Sequence, residues 1–331
     1  MALSRRMRVL SGMRPTGPLH LGHLVGALEN WIPLQETHEC YYVIVDWHAL
    51  TTDYADTGTI REHVRHIALD WLAAGIDPDR SAVFVQSAVK EHAELHLLLS
   101  MVVPLPWLER VPTYKEQQEQ LRDRDLNTYG FLGYPLLQSA DILVYRADAV
   151  PVGEDQVPHL ELCRELVRRF NHLYGRVFPE PQALLTPAAR LLGTDGRKMS
   201  KSYGNAIYLS DPPEVVGSKV DSFLTDPQRT HRRIPGNPEV CPVFAGHRIF
   251  SSPEQLAWAD RGCRSAEIGC RDCKVVFRDN LNRRLAPIAE RRARWESEPE
   301  ALDRVLSRGA EKARAVASAT MAEVRDAMRI G

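Results

Sequence analysis

Short apolar runs alternate with amphipathic stretches over the first half of the chain. The runs at Val9 and Leu10, at residues 40–45 and at Ala82–Val85 are rich in β-branched and aromatic residues, which favours buried strands. Between the last two runs, apolar residues recur at helical spacing until Gly75 and Pro78. Strands that alternate with helices predict a doubly wound parallel α/β sheet, whose ligands bind beyond the carboxyl ends of the strands.

The pattern changes near Asp211, after which helical periodicity dominates. Apolar positions of one long amphipathic helix recur near the end, at Leu302, Val305, Leu306, Ala313, Val316, Ala317, Val324 and Met328. We therefore predict two domains. Residues 1–205 form a Rossmann-like α/β domain, and residues 206–331 form a mainly helical domain.

Composition and charge exclude several classes of protein. The 331 residues are 44% hydrophobic and 26% charged, which is typical of a globular chain and argues against disorder. The formal net charge of -1 offers no overall attraction to nucleic acid, so an RNA contact would depend on local basic patches. No stretch reaches the roughly 18 apolar residues of a membrane helix, and none is typical of a signal peptide. We expect a cytoplasmic protein without a membrane partner.

A glycine-rich stretch, SGMRPTGPLHLGH, follows the first predicted strand and opens a helix. Gly12 and Gly17 are predicted to take backbone angles closed to other residues, and Gly22 leaves space for a flat ring. His20 and His23 lie three residues apart at the helix start, where both can donate hydrogen bonds to phosphate oxygens. The stretch indicates nucleotide binding; a glycine turn with two surface histidines is the alternative.

A second motif, KMSKS at residues 198–202, lies between two glycine-containing segments that predict a movable loop. Its lysines can close over a triphosphate and neutralise the departing pyrophosphate. Together the motifs resemble the two signatures of class I aminoacyl-tRNA synthetases, whereas small nucleotidyltransferases lack the second. The resemblance implies that His20, His23, Lys198 and Lys201 are catalytic.

Two further segments resemble tryptophanyl- and tyrosyl-tRNA synthetases. Residues 134–143 predict a mostly buried helix around Asp141. A buried carboxylate needs a partner, which is either a cation in a core salt bridge or the indole N–H or phenol O–H of a substrate. Residues 150–156 predict a loop that enters a helix. They resemble the family's Gly-x-Asp-Gln segment, in which the Gln contacts the α-amino group and the Asp contacts the ribose.

Likeness to bacterial tryptophanyl-tRNA synthetases extends over almost the whole chain, including residues 45–51, 152–162 and 309–313. Two features depart from the common pattern. Gln138 stands where many members have Met and is closer to the tyrosyl pattern, and His-Leu-Gly-His replaces the common Thr-Ile-Gly-Asn. We interpret these departures as marks of a less common tryptophanyl branch. The alternatives are a tyrosyl-tRNA synthetase and a non-catalytic RNA-binding relative.

The resemblance implies activation of L-tryptophan by ATP with Mg²⁺, transfer to tRNA(Trp), and a homodimer. The implied ATP-binding residues are Met13, Arg14, Gly22, His23, Gly153, Asp155, Lys198, Met199, Ser200, Lys201 and Ser202. The implied tryptophan-binding residues are Leu10, Gly12, His48, Tyr134, Gln138, Asp141, Val150, Val152 and Gln156. In this set Asp141 binds the indole nitrogen and Gln156 binds the α-amino group.

Four of the six cysteines crowd one stretch. Cys241, Cys263, Cys270 and Cys273 give the pattern C-x21-C-x6-C-x2-C, whose thiolates suit either Zn²⁺ or a 4Fe-4S cluster. The pattern resembles that of some bacterial tryptophanyl-tRNA synthetases with an iron-sulfur cluster near the anticodon-contacting region, which favours the cluster. Basic residues surround it and form either a solvated face or an anticodon contact: Arg261, Arg264, Arg271, Lys274, Arg278, Arg283 and Arg284.

Overall fold

A computed structural model describes residues 5–112, 114–115, 125–185 and 191–331. Within these ranges, strands form one parallel sheet in the order β3-β2-β1-β4-β5. The strands are β1 Arg8–Met13, β2 Glu39–Ile44, β3 Ala82–Val85, β4 Ala149–Val152 and β5 Gln182–Leu185. The predicted parallel α/β sheet is confirmed. Strands β2 and β3 are added on one side of β1, and β4 and β5 on the other, so the strand order reverses between β1 and β4. The carboxyl ends of these two strands therefore flank the switch point where ligands bind.

Helices cover the sheet and build the rest of the chain. Numbered along the described ranges, they are α1 Leu21–His23, α2 Glu29–Thr37, α3 Asp46–Asp53, α4 Ile60–Ala74, α5 Glu91–Ser100, α6 Leu105–Glu109, α7 Tyr129–Leu132, α8 Tyr134–Val144, α9 Val157–Tyr174, α10 Pro213–Ser222, α11 Pro242–Phe250, α12 Pro253–Arg264, α13 Cys270–Ser297 and α14 Pro299–Met328. A π-helical turn, Leu24–Leu28, joins α1 to α2. The predicted helices before Gly75, around Asp141 and near the end are confirmed as α4, α8 and α14.

Successive side chains of the strands enter two apolar cores on opposite faces of the sheet. Leu10 and Tyr41 belong to the core that also contains α8 and α9, whereas Val9 and Tyr42 belong to the core beneath α4. Burial on both faces explains why these strands are nearly continuous apolar runs in the sequence.

The segment 150–156 differs from the single loop that the sequence predicts. Its first residues lie in β4, where Val150 and Pro151 pair with Ala183 and Leu184 of β5. The loop prediction is wrong there because a four-residue strand that contains a proline has a weak local signal, and its strand conformation comes from its neighbours in the sheet.

The two long C-terminal helices pack back onto the sheet domain. Arg292 of α13 forms a buried ion pair with Asp70 of α4. Helix α14 covers the edge strand β3 so closely that a Cβ on Gly309 would lie 1.9 Å from the Val83 carbonyl oxygen. The division at residues 205 and 206 stays a prediction. Among the described residues, no helix combines the length and apolar content that crossing a bilayer requires.

Candidate active site

A cavity of about 400 Å³ opens at the carboxyl ends of β1 and β4. All nine residues of the implied tryptophan set line it, and so do Met13, Arg14 and Gly153 of the implied ATP set. The alternation of β4 places Val150 and Val152 on one face, which makes one wall of the cavity apolar. The lining also includes residues that were not predicted from the sequence: Ser11, Trp31, Val43, Val45, Thr51, Ile142 and His159.

Gly12 contributes space to this cavity rather than unusual backbone angles. It lies within β1, and only Gly17 of the two predicted positions has a positive φ, of 102°. The prediction that Gly12 takes unusual backbone angles is therefore wrong. A Cβ on Gly12 would lie 2.7 Å from the Val43 carbonyl oxygen, so close approach of β1 and β2 requires the glycine.

His20 and His23 lie side by side at the start of α1, as the spacing predicts, with ring centroids 3.9 Å apart. Nδ1 of His20 accepts the Gly22 N–H at 3.1 Å, and Nδ1 of His23 accepts the His20 N–H at 3.2 Å. Each neutral ring therefore carries its proton on Nε2. Burial and the nearby charges of Lys201 and Lys198 lower the pKa of His20 to about 4, and burial with the His20 charge lowers the pKa of His23 to about 3. At neutral pH both rings offer N–H donors without a positive charge.

The KMSKS loop contacts the glycine-rich loop. Lys201 Nζ donates to the Gly17 carbonyl oxygen at 2.8 Å and to Thr16 Oγ1 at 3.3 Å. Burial lowers the pKa of Lys201 to about 8. Lys198 and Ser202 are exposed, whereas the Met199 side chain is buried in the core. The loop thus holds one partly buried cation against the first motif.

Asn205 stabilises the turn of the KMSKS loop from its C-terminal side. Its Oδ1 accepts the Ser200 N–H at 2.8 Å, and its Nδ2 donates to Asp195 Oδ1 at 2.7 Å and to the Lys198 carbonyl oxygen at 3.2 Å. These three bonds join the first and middle residues of the motif, and Asp195 before it, to one buried side chain.

Asp141 lines the cavity, and its carboxylate is surrounded by donors. His48 Nε2 lies 3.0 Å from Oδ2, His92 Nδ1 lies 2.7 Å from Oδ1, and Gln86 Nε2 donates to both oxygens at 2.7 and 2.9 Å. Burial by itself would raise the pKa of Asp141, but the charges and hydrogen bonds of His92 and His48 hold it well below its usual range. Asp141 is therefore an ionised acceptor. Gln86 and His92 were not predicted, because no local pattern distinguishes them.

The residues after β4 also contribute to the lining of the cavity. Gln156 lies in the lining, and its Nε2 donates to Asp155 Oδ2 at 3.0 Å. Asp155 is exposed and lies so close that a Cβ on Gly153 would be 2.6 Å from its Oδ1. His20, Gly22, His23, Asp155 and the KMSKS residues do not line the cavity itself.

The four predicted cysteines come together at the start of α13 and the segments beside it. The Arg229 guanidinium lies 3.8 Å from Cys263 Sγ and 3.9 Å from Cys270 Sγ, and His247 Nε2 lies 3.3 Å from Cys273 Sγ. Burial raises the pKa of Cys241 and Cys263, and raises that of Cys273 to about 12. Over the described ranges, no three His, Cys, Asp or Glu side chains approach closely enough to hold a single metal ion.

Comparisons with known proteins agree with this geometry. The sequence profile of the class I tRNA synthetases (W and Y) matches residues 1–286. The chain is 55% identical to the tryptophan–tRNA ligase of Thermotoga maritima over 98% of this chain and 99% of that protein, and 44% identical to that of Aquifex aeolicus over 98% and 100%. A crystal structure of tryptophanyl-tRNA synthetase from Campylobacter jejuni with ADP and tryptophan superimposes with a TM-score of 0.89 at 30% identity, and covers 98% of this chain and 100% of that one. The chain therefore belongs to the class I tRNA synthetases for tryptophan and tyrosine, and within them to the tryptophan–tRNA ligase family.

Proposed function

We propose that the chain activates L-tryptophan with ATP and transfers it to tRNA(Trp), with release of AMP and diphosphate, in the cytoplasm and as a homodimer. One observation carries this proposal: a cavity with an apolar wall is lined by the ionised Asp141 and by Met13 and Arg14 of the glycine-rich stretch, which the KMSKS loop contacts. A flat apolar ring with one N–H donor matches both properties of the cavity.

In the proposed first step, the tryptophan carboxylate attacks the α-phosphorus of ATP, bound with Mg²⁺, and pyrophosphate leaves. Catalysis is mainly positioning and stabilisation of charge. The N–H groups of His20 and His23 would bind phosphate oxygens, while Lys198 and Lys201 would neutralise the pyrophosphate. Gly153 and Asp155 would orient the ribose, and Gln156 the α-amino group. A terminal ribose hydroxyl of the tRNA then attacks the acyl carbon of the tryptophanyl adenylate, whose bond to phosphate breaks as AMP leaves.

Pyrophosphate exchange with each aromatic amino acid tests the proposal. We expect exchange that depends on tryptophan and none that depends on tyrosine, because Leu10, Val150 and Val152 give the cavity an apolar wall for the larger indole ring. Exchange with tyrosine alone would favour the tyrosyl alternative. Absence of exchange with both amino acids, in a folded protein that binds tRNA, would favour a non-catalytic relative.

We also propose that the four cysteines hold a 4Fe-4S cluster. Two observations support the proposal: four thiols, the donor type that a cluster requires, come from one region, and Arg229 places a cation next to two of them, where it can offset the negative charge of a thiolate-bound cluster. Because burial holds three of the thiols protonated, binding would release protons. When bound, the cluster would anchor the start of α13 beside the predicted anticodon-contacting surface.

Anaerobic purification with iron and sulfide analysis tests the cluster. We expect about four iron and four sulfide per chain with visible absorbance. Cys270→Ala should lose both, while Cys40→Ala should keep them, since Cys40 is buried in β2 and has no part in the group. Colourless protein that contains zinc would reject the cluster in favour of the zinc alternative.

A further inference from the structure

Behind Asp141, away from the cavity, lies a chain of hydrogen bonds that no step of the proposed reaction uses. His92 Nδ1 is 2.7 Å from Asp141 Oδ1, and His92 Nε2 is 2.6 Å from the Tyr145 hydroxyl. The side chains of Gln86, His92 and Tyr145 are all fully buried, and none of them lines the cavity. Of the three donors to Asp141, only His48 reaches the cavity.

The direction of the bond between His92 and Asp141 is determined by the chemistry of the two groups. An ionised carboxylate can only accept, so His92 Nδ1 carries the proton and donates to Oδ1. The Tyr145 hydroxyl lies 2.6 Å from Nε2, the second nitrogen of the same ring, so it contacts Asp141 through His92. Burial and the Asp141 charge raise the pKa of Tyr145 well above its usual range, so the hydroxyl keeps its proton.

The two oxygens of Asp141 differ in whether their donors line the cavity. Each carboxylate oxygen accepts about two hydrogen bonds. Oδ1 already has two donors, His92 and Gln86, and the Gln86 amide is held in place because its Oε1 accepts the Trp47 N–H at 3.1 Å. Oδ2 also has two donors, Gln86 at 2.9 Å and His48 at 3.0 Å; because His48 lines the cavity and the donors of Oδ1 do not, Oδ2 is the oxygen that meets the cavity.

We propose that Tyr145 and His92 form a buried relay that fixes Asp141 Oδ1, so that Oδ2 recognises the ring N–H of the substrate. The inference rests on the proposed function, in which Asp141 is the acceptor for the indole nitrogen. Tyr145 and His92 are positioning residues, because they act through Asp141 and touch no substrate. The substrate N–H enters at Oδ2 by sharing or replacing the bond from His48.

The test compares tryptophan with its benzofuran analogue, in which oxygen replaces the indole N–H. The readout is the ratio of their kcat/KM values in pyrophosphate exchange, together with the KM for ATP. Tyr145→Phe removes one hydroxyl, and we expect it to lower the preference for tryptophan about tenfold, the effect of one hydrogen bond in a charged network, with the KM for ATP unchanged. If Tyr145 had only a structural role, its loss would lower kcat/KM equally for both substrates and leave their ratio unchanged.

The matched control is Tyr41→Phe. The Tyr41 ring stacks on Tyr145 at 4.8 Å, but its hydroxyl donates to Glu39, outside the relay. This variant should keep the wild-type ratio. If Tyr145→Phe does not fold, His92→Gln tests the relay instead. The glutamine amide can reach the Tyr145 hydroxyl but cannot donate to Asp141, so this variant should also lower the preference for tryptophan. His92→Asn, whose amide can replace the Nδ1 donor, should recover part of the preference.

Asp141→Asn separates the acceptor role of Asp141 from the relay formed by Tyr145 and His92. A lower preference in Asp141→Asn and in Tyr145→Phe supports the relay. A lower preference in Asp141→Asn with an unchanged or greater one in Tyr145→Phe overturns the relay and leaves the acceptor role of Asp141 intact. An unchanged preference in Asp141→Asn overturns the acceptor role and the relay together.

Discussion

Lys201→Ala should slow the activation of tryptophan by about 10²- to 10³-fold, the cost of removing one group that stabilises charge in the transition state. Lys201 is the partly buried cation that contacts the glycine-rich loop through the Gly17 carbonyl oxygen. Tryptophan affinity should not change, because Lys201 does not line the cavity. Single-turnover formation of the adenylate and calorimetric binding of tryptophan measure the two quantities. Lys312→Ala, an exposed lysine on α14, is the control.

The pH profile provides an independent check on Lys201. Its charged form is needed, and burial lowers its pKa to about 8, so kcat/KM for ATP should fall as pH rises through about 8. Lys201→Arg should remove this limb, because arginine stays protonated over the whole range. Unchanged activation in Lys201→Ala would contradict the role of the loop, and an alkaline limb that persists in Lys201→Arg would assign the limb to another group.

Arg292→Met should lower the free energy of unfolding by about 3–5 kcal/mol, the cost of leaving a buried charge without its partner. Asp70 is fully buried, and its Oδ2 also accepts the Leu19 N–H at 2.7 Å, next to His20. Burial raises the pKa of Asp70, and the Arg292 guanidinium opposes that rise. Without Arg292 the pKa of Asp70 rises further. The loss in free energy of unfolding should therefore be smaller at acidic pH, where Asp70 is protonated. Urea unfolding at two pH values measures it.

Two variants delimit the Arg292 prediction. Asp70→Asn combined with Arg292→Met removes both charges and should recover much of the lost stability. Arg304→Met breaks an exposed ion pair with Glu300 on α14 and should cost less than about 1 kcal/mol. Equal losses in Arg292→Met and Arg304→Met would show that the buried pair contributes no more than a surface pair.

Local patterns predicted much of the fold and the position of the site. The strands β1, β2 and β3 were predictable because burial on both faces gives continuous apolar runs, and α4, α8 and α14 because their apolar residues recur at helical spacing. Strand β4 was not, since Pro151 weakens its local signal and pairing with β5 decides its conformation.

The hydrogen-bond network of Asp141 shows where prediction from the sequence ended. The acid was singled out because a charge within an apolar helix must be satisfied. Its donors could not be named, because His48, Gln86 and His92 lie 93, 55 and 49 residues away along the chain. Likewise Gly12 was recognised as special, but the reason, its close approach to Val43, needed the neighbouring strand.

The sequence by itself determined the His-Leu-Gly-His and KMSKS motifs, their order, the acid in the helix and the group of four cysteines. These are properties of residues close together along the chain, whose chemistry does not depend on what they touch. Only the tertiary structure decided that His20 and His23 are neutral donors, that Lys201 contacts the first motif, that Asp141 is ionised and that Arg292 pairs with Asp70. Protonation and pairing depend on burial and on charges from distant segments, and folding alone brings these together.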